Sequence, residues 1–486
     1  MRLNSRRFEK SMGTRRQAIR ESDQSSEDQT PYATAAICET RSSAPSSSEP
    51  AVGSVAAPAT PPPEKTKSVS LRTNFAWTLA GNAINAACQW GMLVSIAKLG
   101  TPAMVGQFTL GLAVAAPVFM LTSLQLRAVL ATDVRNEYRL GHYIAPRMLG
   151  TAAGLILILT FALASHYRRD TAVVVLLVSA AKAVETLSDI IYGFWQKHER
   201  FDKIAMAMIG RGIGSVAIMA AVLYSTRSIA VACGAMALYW FVWLATYEYS
   251  GTRSLLASVS PGEALRTEWD MGKCRRLVVL SLPLGVVMLL ISLNSNLPRY
   301  FVEHYCGEAG LGYFAAMAYA FVAGNTVMSA MGQSAMPRLA RNFDSNRPAF
   351  ARLLKKMLLL GAAVGVLGIG VALLFGAAFL RLAYRPDYAQ YSIVFSWLMV
   401  AAAVAYVGSM LGYGMTAARM FRPQVPLFVA ATASTVLGCW LLIPRLGLAG
   451  GAYAVLIGSL VSCAGSACLL LFWWRCLPNK GFRSSV

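Results

Sequence analysis

The chain has 486 residues, of which 56% are hydrophobic and only 14% charged, and its mean hydropathy is +0.50. A soluble chain usually carries about 25% charged residues, so this balance excludes an ordinary soluble globule and fits a polytopic helical membrane protein. The formal charge of +21 does not signal nucleic-acid binding, because the basic residues sit in short loops between apolar runs, where they set topology.

Residues 1–70 differ from everything after them. They hold Ser- and Pro-rich stretches, including Pro61-Pro62-Pro63, and few large apolar residues. Such a segment cannot bury enough surface to order itself, and it is expected to be a disordered cytoplasmic extension. It has no apolar run of the kind a secretory signal needs.

From Phe75 onward the chain reads as twelve apolar runs, each near the ~20 residues that span a hydrocarbon core. They cover about residues 75–97, 104–126, 147–164, 171–194, 204–224, 229–248, 277–297, 311–335, 353–380, 389–415, 424–443 and 450–474. The longest internal polar connection follows the sixth run. It divides the chain into a six-helix lobe over 71–249, a cytoplasmic linker over 250–276, a second six-helix lobe over 277–475 and a cytoplasmic tail over 476–486. The fold class is therefore all-α. The two lobes echo each other: Gly106-Gln-Phe108 opens the second run, and Gly312-Tyr-Phe314 opens the eighth in the same relative place. This favours a parallel repeat of the kind transporters use.

Of the 44 Lys and Arg residues, 34 fall on the side that holds both termini and 8 on the opposite hairpins, among them Arg299. Both termini are expected in the cytoplasm.

The fourth run carries Lys182, Glu185 and Asp189. At about 100° per residue they share one helix face within roughly 60°. Each charge costs about 2.5–3.5 kcal/mol if it faces lipid at the bilayer centre, so this face must look inward. Lys182 and Glu185, three apart, can pair. Arg211, flanked by Gly210 and Gly212, sits on the fifth run, where it can reach these carboxylates or snorkel to the interface. Arg127 closes the second run with Asp133 six residues on, a cation suited to a phosphate at the cytoplasmic mouth or to topological anchoring. Arg299 is the equivalent case on the other side. Pro117, Pro283 and Pro337 fall within or just after apolar runs and are expected to bend them.

No catalytic constellation stands out. There is no phosphate loop, metal-ligand cluster or nucleophile beside a base. The nine cysteines form no Cys-x-x-Cys pair and most lie in apolar runs, so neither a metal nor a disulfide framework is expected. The histidines, His142, His166, His198 and His304, read as solvated loop residues. No cofactor is expected.

Four stretches carry a family resemblance: Leu124-Gln-Leu-Arg127-Ala-Val-Leu-Ala-Thr-Asp133, Lys182-Ala-Val-Glu185-Thr-Leu-Ser-Asp189-Ile-Ile-Tyr-Gly, Asn296-Leu-Pro-Arg299-Tyr-Phe, and Ile443-Pro-Arg-Leu-Gly447-Leu-Ala-Gly-Gly-Ala452. Across about residues 72–475 the chain resembles the polysaccharide-biosynthesis (Wzx-type) flippases of the multidrug/oligosaccharidyl-lipid/polysaccharide superfamily. The resemblance implies two lobes around a central cavity that opens alternately to each face. It implies translocation of an undecaprenyl-pyrophosphate-linked oligosaccharide across the bacterial inner membrane for exopolysaccharide, O-antigen or capsule. It makes Arg127, Lys182, Arg211 and Arg299 candidate substrate-binding cations. Glu185, Asp189 and Asp133 are candidate coupling or ion-pair residues. The partners implied are the lipid-linked oligosaccharide and membrane lipids, with a polysaccharide polymerase and export machinery as candidate protein partners. Two other functions compete: a cation-coupled small-molecule exporter of the same superfamily, with Glu185 and Asp189 as the ion site, and a polysaccharide polymerase or ligase.

Overall fold

The computed structural model describes residues 71–476, apart from 134–136, 166 and 262–264. The expected extension over residues 1–70 lies outside this range, and so does the expected tail except for Cys476. The described chain is helical: α1 (Leu71–Leu99), α2 (Pro102–Thr122), the short α3 (Leu126–Thr132), α4 (Leu140–Ala164), α5 (Arg169–Lys197), α6 (Phe201–Thr226), α7 (Ile229–Trp243), α8 (Tyr249–Val259), α9 (Met271–Ser345), α10 (Arg347–Ala383), α11 (Ser392–Ala417), α12 (Phe421–Leu446) and α13 (Leu448–Cys476).

Nine helical segments among the described residues combine spanning length with spanning hydropathy; one joins α7 to α8, another is α9. α9 is really two arms, broken at Gly307 where φ is 70° and ψ −178°. α1 and α5 are 29 residues each, about 43 Å at 1.5 Å per residue; their polar and charged side chains lower their hydropathy without shortening them. Counting these and both arms of α9, twelve membrane-length helices are present among the described residues. Pro283 and Pro337 are absorbed within the arms of α9, and Pro117 within α2. The sharp break falls instead at Gly307, because its positive φ with extended ψ is open to a residue without Cβ.

Local chemistry sets the helix ends. Thr101 caps α2 by accepting from Met104 N, and Pro102 follows in the first turn. Asp270 and Asn346 cap α9 and α10 by accepting from Lys273 N and Ala349 N, as short polar side chains do at helix starts. α7 passes into α8 through a π-helical turn, Leu244–Glu248, so the segment that begins the expected linker is helix up to Val259.

The helices form two six-helix lobes. In the first, α1 packs on α6, α2 on α5, and α5 on α4 and α7; in the second, α10 packs on α11, and α13 on both α11 and α12. The lobes meet chiefly where α2 crosses α9. There a Cβ on Gly106 would lie 1.8 Å from Glu308 O, and one on Gly312 would lie 1.9 Å from Pro102 O. The Gly-x-Phe segments at Gly106 and Gly312 thus meet each other in space. The hydrophobic core runs through this crossing, joining Ile96, Leu110, Val175 and Met219 of the first lobe to Leu311, Phe314 and Met317 of the second.

The crossing lies toward one end of the bundle, called here the hairpin face. Other contacts tie the lobes there. Gln107 Nε2 donates to Glu308 Oε2 at 2.9 Å, the Thr171 hydroxyl donates to Glu308 Oε1, and Arg385 Nη1 donates to Gly100 O at 2.8 Å. The opposite end, the linker face, carries α3, the turn after α5 and the segment before α9. His142, expected as a solvated loop residue, is buried there: its Nε2 lies 3.0 Å from Glu268 Oε2, and Glu268 N donates to Gly141 O. The linker folds back over the start of α4 and covers the imidazole, which loop composition alone does not foretell.

Candidate functional site

A cavity of about 820 Å³, part of it continuous with open solvent, lies between the lobes. α5 contributes Lys182 and Glu185, α6 contributes Arg211, and the first arm of α9 contributes Arg299. α1 adds Asn85 and Gln89, and the second arm of α9 adds Tyr319. The other walls are apolar, among them Phe108, Leu112 and Met236.

Glu185 organises the charge. Its Oε2 accepts from Lys182 Nζ at 2.5 Å, and its Oε1 accepts from Arg211 Nη2 at 3.3 Å. Arg211 is 5% exposed and is held between two rings, 5.0 Å from the Trp240 centroid and 5.7 Å from that of Tyr192. Two such cation–π contacts hold a guanidinium while leaving some of its donors free; Arg211 Nη1 is buried without a hydrogen-bond partner. Arg299 Nη1 donates to Asn296 Oδ1 at 2.9 Å. Among the described residues it has no carboxylate within ion-pair distance. Three cations and one carboxylate therefore face the cavity, a formal excess of two positive charges.

The other expected site residues assemble one helical turn nearer the linker face. Asp189 does not share the cavity with Glu185. Its Oδ1 pairs with Arg127 Nη1 at 3.1 Å and its Oδ2 with Arg147 Nη2 at 3.2 Å. Arg127 Nε also donates to Gln196 Oε1 at 3.2 Å. Asp133 is a staple of the linker face: it accepts from Glu137 N and the Tyr143 hydroxyl, both at 3.1 Å, and pairs with Lys197 at 3.7 Å. Burial alone would raise the Asp133 pKa, but those amide bonds and the Lys197 charge hold it below the usual carboxylate range.

Two charged residues at the edges of apolar runs are buried beside this site. Arg147 stands at the first residue of the third apolar run, where a basic residue reads as a topology-setting anchor, yet its side chain is 0% exposed, inside α4 and against Asp189. Glu248 stood at the end of the sixth run, and it is also fully buried; its Oε1 accepts from the Tyr192 hydroxyl at 2.8 Å, and its Oε2 has no partner. Tyr192 is the joint between these groups, since its ring also lies 5.8 Å from the Arg127 guanidinium. The available signal was the period of α5, on which Tyr192 lies on the same side as Glu185 and Asp189. Among the described residues no group of His, Cys, Asp and Glu could hold a metal ion.

A two-lobed helical bundle with a basic cavity at the lobe crossing defines a multi-pass membrane protein of transporter architecture. The family follows from the sequence match: residues 71–343 fit the model of the polysaccharide biosynthesis protein family, and the chain belongs to that family. It is 26% identical over 391 residues to the capsular polysaccharide biosynthesis protein CapF of Staphylococcus aureus, covering 80% of this chain and 96% of that one. Its fold is similar to that of the lipid II flippase MurJ in an inward closed conformation, with a TM-score of 0.65 at 13% identity over 84% of this chain and 88% of the other. It is also similar to a transporter of the multidrug/oligosaccharidyl-lipid/polysaccharide superfamily from Pyrococcus furiosus, with a TM-score of 0.56 at 14% identity, covering 83% and 95% of the two chains.

Proposed function

We propose that the protein is an inner-membrane flippase that carries a pyrophosphate-linked lipid oligosaccharide from the cytoplasmic to the outer leaflet, with the phosphates held by Lys182, Arg211 and Arg299. The single observation that supports this most is the charge of the cavity, three cations against one carboxylate. A pyrophosphate and its sugars cannot cross hydrocarbon unaided, while the lipid tail need not leave it. An arginine fork and an ammonium are the donors such an anion calls for. Glu185 neutralises part of the charge of the cavity and yields to the arriving phosphate. Outward movement of an anion is favoured by an inside-negative potential, about 2.3 kcal/mol per charge per 100 mV.

In this reading the linker face, rich in Lys and Arg, is cytoplasmic and both termini share it. The lobes over 71–249 and 277–475 rock about the α2–α9 crossing, joined by 250–276. The relative from Staphylococcus aureus, named for capsular polysaccharide biosynthesis, supports a surface-polysaccharide precursor as the cargo. A polymerase and export machinery would act on it after translocation. The cation-coupled exporter is disfavoured because Glu185 and Asp189 are each held by two cations, which leaves neither free to take an ion.

Binding of geranylgeranyl pyrophosphate to the purified protein tests the reading. Binding should be saturable, and it should be lost on Lys182→Ala with Arg299→Ala. Equal binding to the wild type and that double variant would overturn it.

A further inference from the structure

The cavity's cations stand on α5, α6 and the first arm of α9. The cavity wall formed by α1 carries no charge and two amides, Asn85 and Gln89. Thr78, Asn82, Asn85 and Gln89 recur at intervals of four, three and four residues, which sets them within roughly 40–60° of one another on the helix. Thr78, Asn82 and Gln89 are exposed and Asn85 is half-buried, and both Asn85 and Gln89 line the cavity. Asn85 points toward the Arg211 side: its Oδ1 would lie 3.9 Å from a Cβ on Gly212. Thr78 already donates to Asn74 O at 2.9 Å. The side chains of Asn82 and Asn85 make no hydrogen bond among the described residues, and Gln89 Oε1 receives only the Tyr319 hydroxyl, at 3.4 Å.

The second arm of α9 answers this row. Tyr319, Thr326 and Gln333 are spaced by seven, so they share one face, and that face lines the cavity at Tyr319. Thr326 and Gln333 are exposed. Tyr319 touches α1 at Ala86 O and Gln89. From that contact both helices run toward the linker face, each with its polar row.

Polar side chains in the bilayer zone are stable only where they meet a polar partner or an aqueous space. Amides offer a donor and an acceptor side by side, the pairing a sugar hydroxyl presents, and they add no charge that would compete for the phosphates. We infer that Asn82, Asn85 and Gln89 of α1, with Tyr319 and Gln333 of α9, form a glycan-reading wall that receives the uncharged sugars while the adjacent cations hold the pyrophosphate. The stretch from Gln89 to Thr78 is about 16 Å long at 1.5 Å per residue, enough for a short run of sugar rings. This inference rests on the proposed cargo and adds to it: the cations set the class of substrate, and the amides select among glycans.

Two probes separate the parts: geranylgeranyl pyrophosphate, and the same lipid pyrophosphate bearing a neutral trisaccharide of β-1,4-linked N-acetylglucosamine. The wild type should hold the sugar-bearing lipid roughly tenfold tighter, the gain expected from one or two hydrogen bonds. Asn82→Ala with Gln333→Ala, both exposed and away from the cations, should remove that preference and leave binding of the bare lipid unchanged. Asn82→Ala alone, an exposed and helix-favouring change, should remove part of it in a protein that folds normally. A wild type without preference, or a double variant that keeps it, would overturn the glycan-reading wall and leave the pyrophosphate reading standing. Failure of the wild type to bind either lipid would overturn both.

Discussion

Arg211 donates to Glu185 across the boundary between α6 and α5, at 3.3 Å, while the same carboxylate takes Lys182 from its own helix at 2.5 Å. One acid thus holds two cations at the edge of a cavity, and the third cation, Arg299, stands there without an acid. The arrangement fixes the direction in which each substitution should act.

Arg211→Ala should destabilise the protein more than Lys182→Ala. Arg211 is almost wholly buried and its guanidinium lies over the rings of Trp240 and Tyr192, so its loss removes packing as well as charge. The expected cost is about 3 kcal/mol. The Lys182 side chain is 27% exposed, and its loss should cost about 1 kcal/mol or less. The thermal midpoints of the two variants in detergent check the order.

Asp189→Asn should be costly because it strands Arg147. That guanidinium has no other ion-pair partner among the described residues, and its Nε and Nη1 are already without hydrogen bonds. Removing one member of a buried pair costs about 3–5 kcal/mol; partial exposure of Asp189 puts the expectation at the lower end. Replacing both, Asp189→Leu with Arg147→Met, should recover much of the loss. Thermal unfolding of the single and double variants measures the recovery.

Gly312→Ala should open the lobe crossing. The added methyl would lie 1.9 Å from the carbonyl of Pro102, a backbone atom that cannot rotate away. Transport should fall at least tenfold, and a cysteine introduced on the hairpin face should become more reactive to a membrane-impermeant thiol reagent. Gly370→Ala, with nothing within 4 Å of the new methyl, is the matched control and should leave both unchanged.

Asp133 makes stability depend on acid. Its folded-state pKa is depressed, mainly against the pull of burial, by the amides of Glu137 and Tyr138 and by Lys197. A depressed carboxylate contributes stability above its unfolded value, near 3.9, and the contribution is lost as pH falls through the lower folded value. Asp133→Asn should therefore lower the midpoint at pH 7 by the equivalent of about 1 kcal/mol. The gap should stay constant down to about pH 5 and close only below about pH 4. A midpoint series from pH 8 to pH 3.5 follows it.

Much of this architecture was legible in the sequence. Membrane-length apolar runs mark the helices, and the two Gly-x-Phe segments pack on each other at the α2–α9 crossing. The Lys182–Glu185 pair followed from spacing alone. Other features depend on tertiary contacts that periodicity does not encode. Arg147 resembled a loop anchor because α4 begins seven residues before the apolar run does. Arg299 resembled a hairpin residue, since the break between the two spans falls at Gly307 rather than at Pro298. Asp189 shares a helix face with Glu185, yet one turn of rise, about 5.4 Å, carries it to different arginines. The amides of α1 are not legible in a hydropathy profile, because neutral polar residues barely disturb it. Only the open cavity beside them gives them meaning.

The most direct test of the central claim is made in cells. In a strain lacking the chromosomal gene, the wild-type chain should restore surface polysaccharide. Arg299→Ala with Lys182→Ala, at equal membrane level, should fail to restore it and should accumulate lipid-linked oligosaccharide in the inner leaflet. Normal polysaccharide without accumulated precursor in that variant would contradict the claim that these cavity cations carry the pyrophosphate.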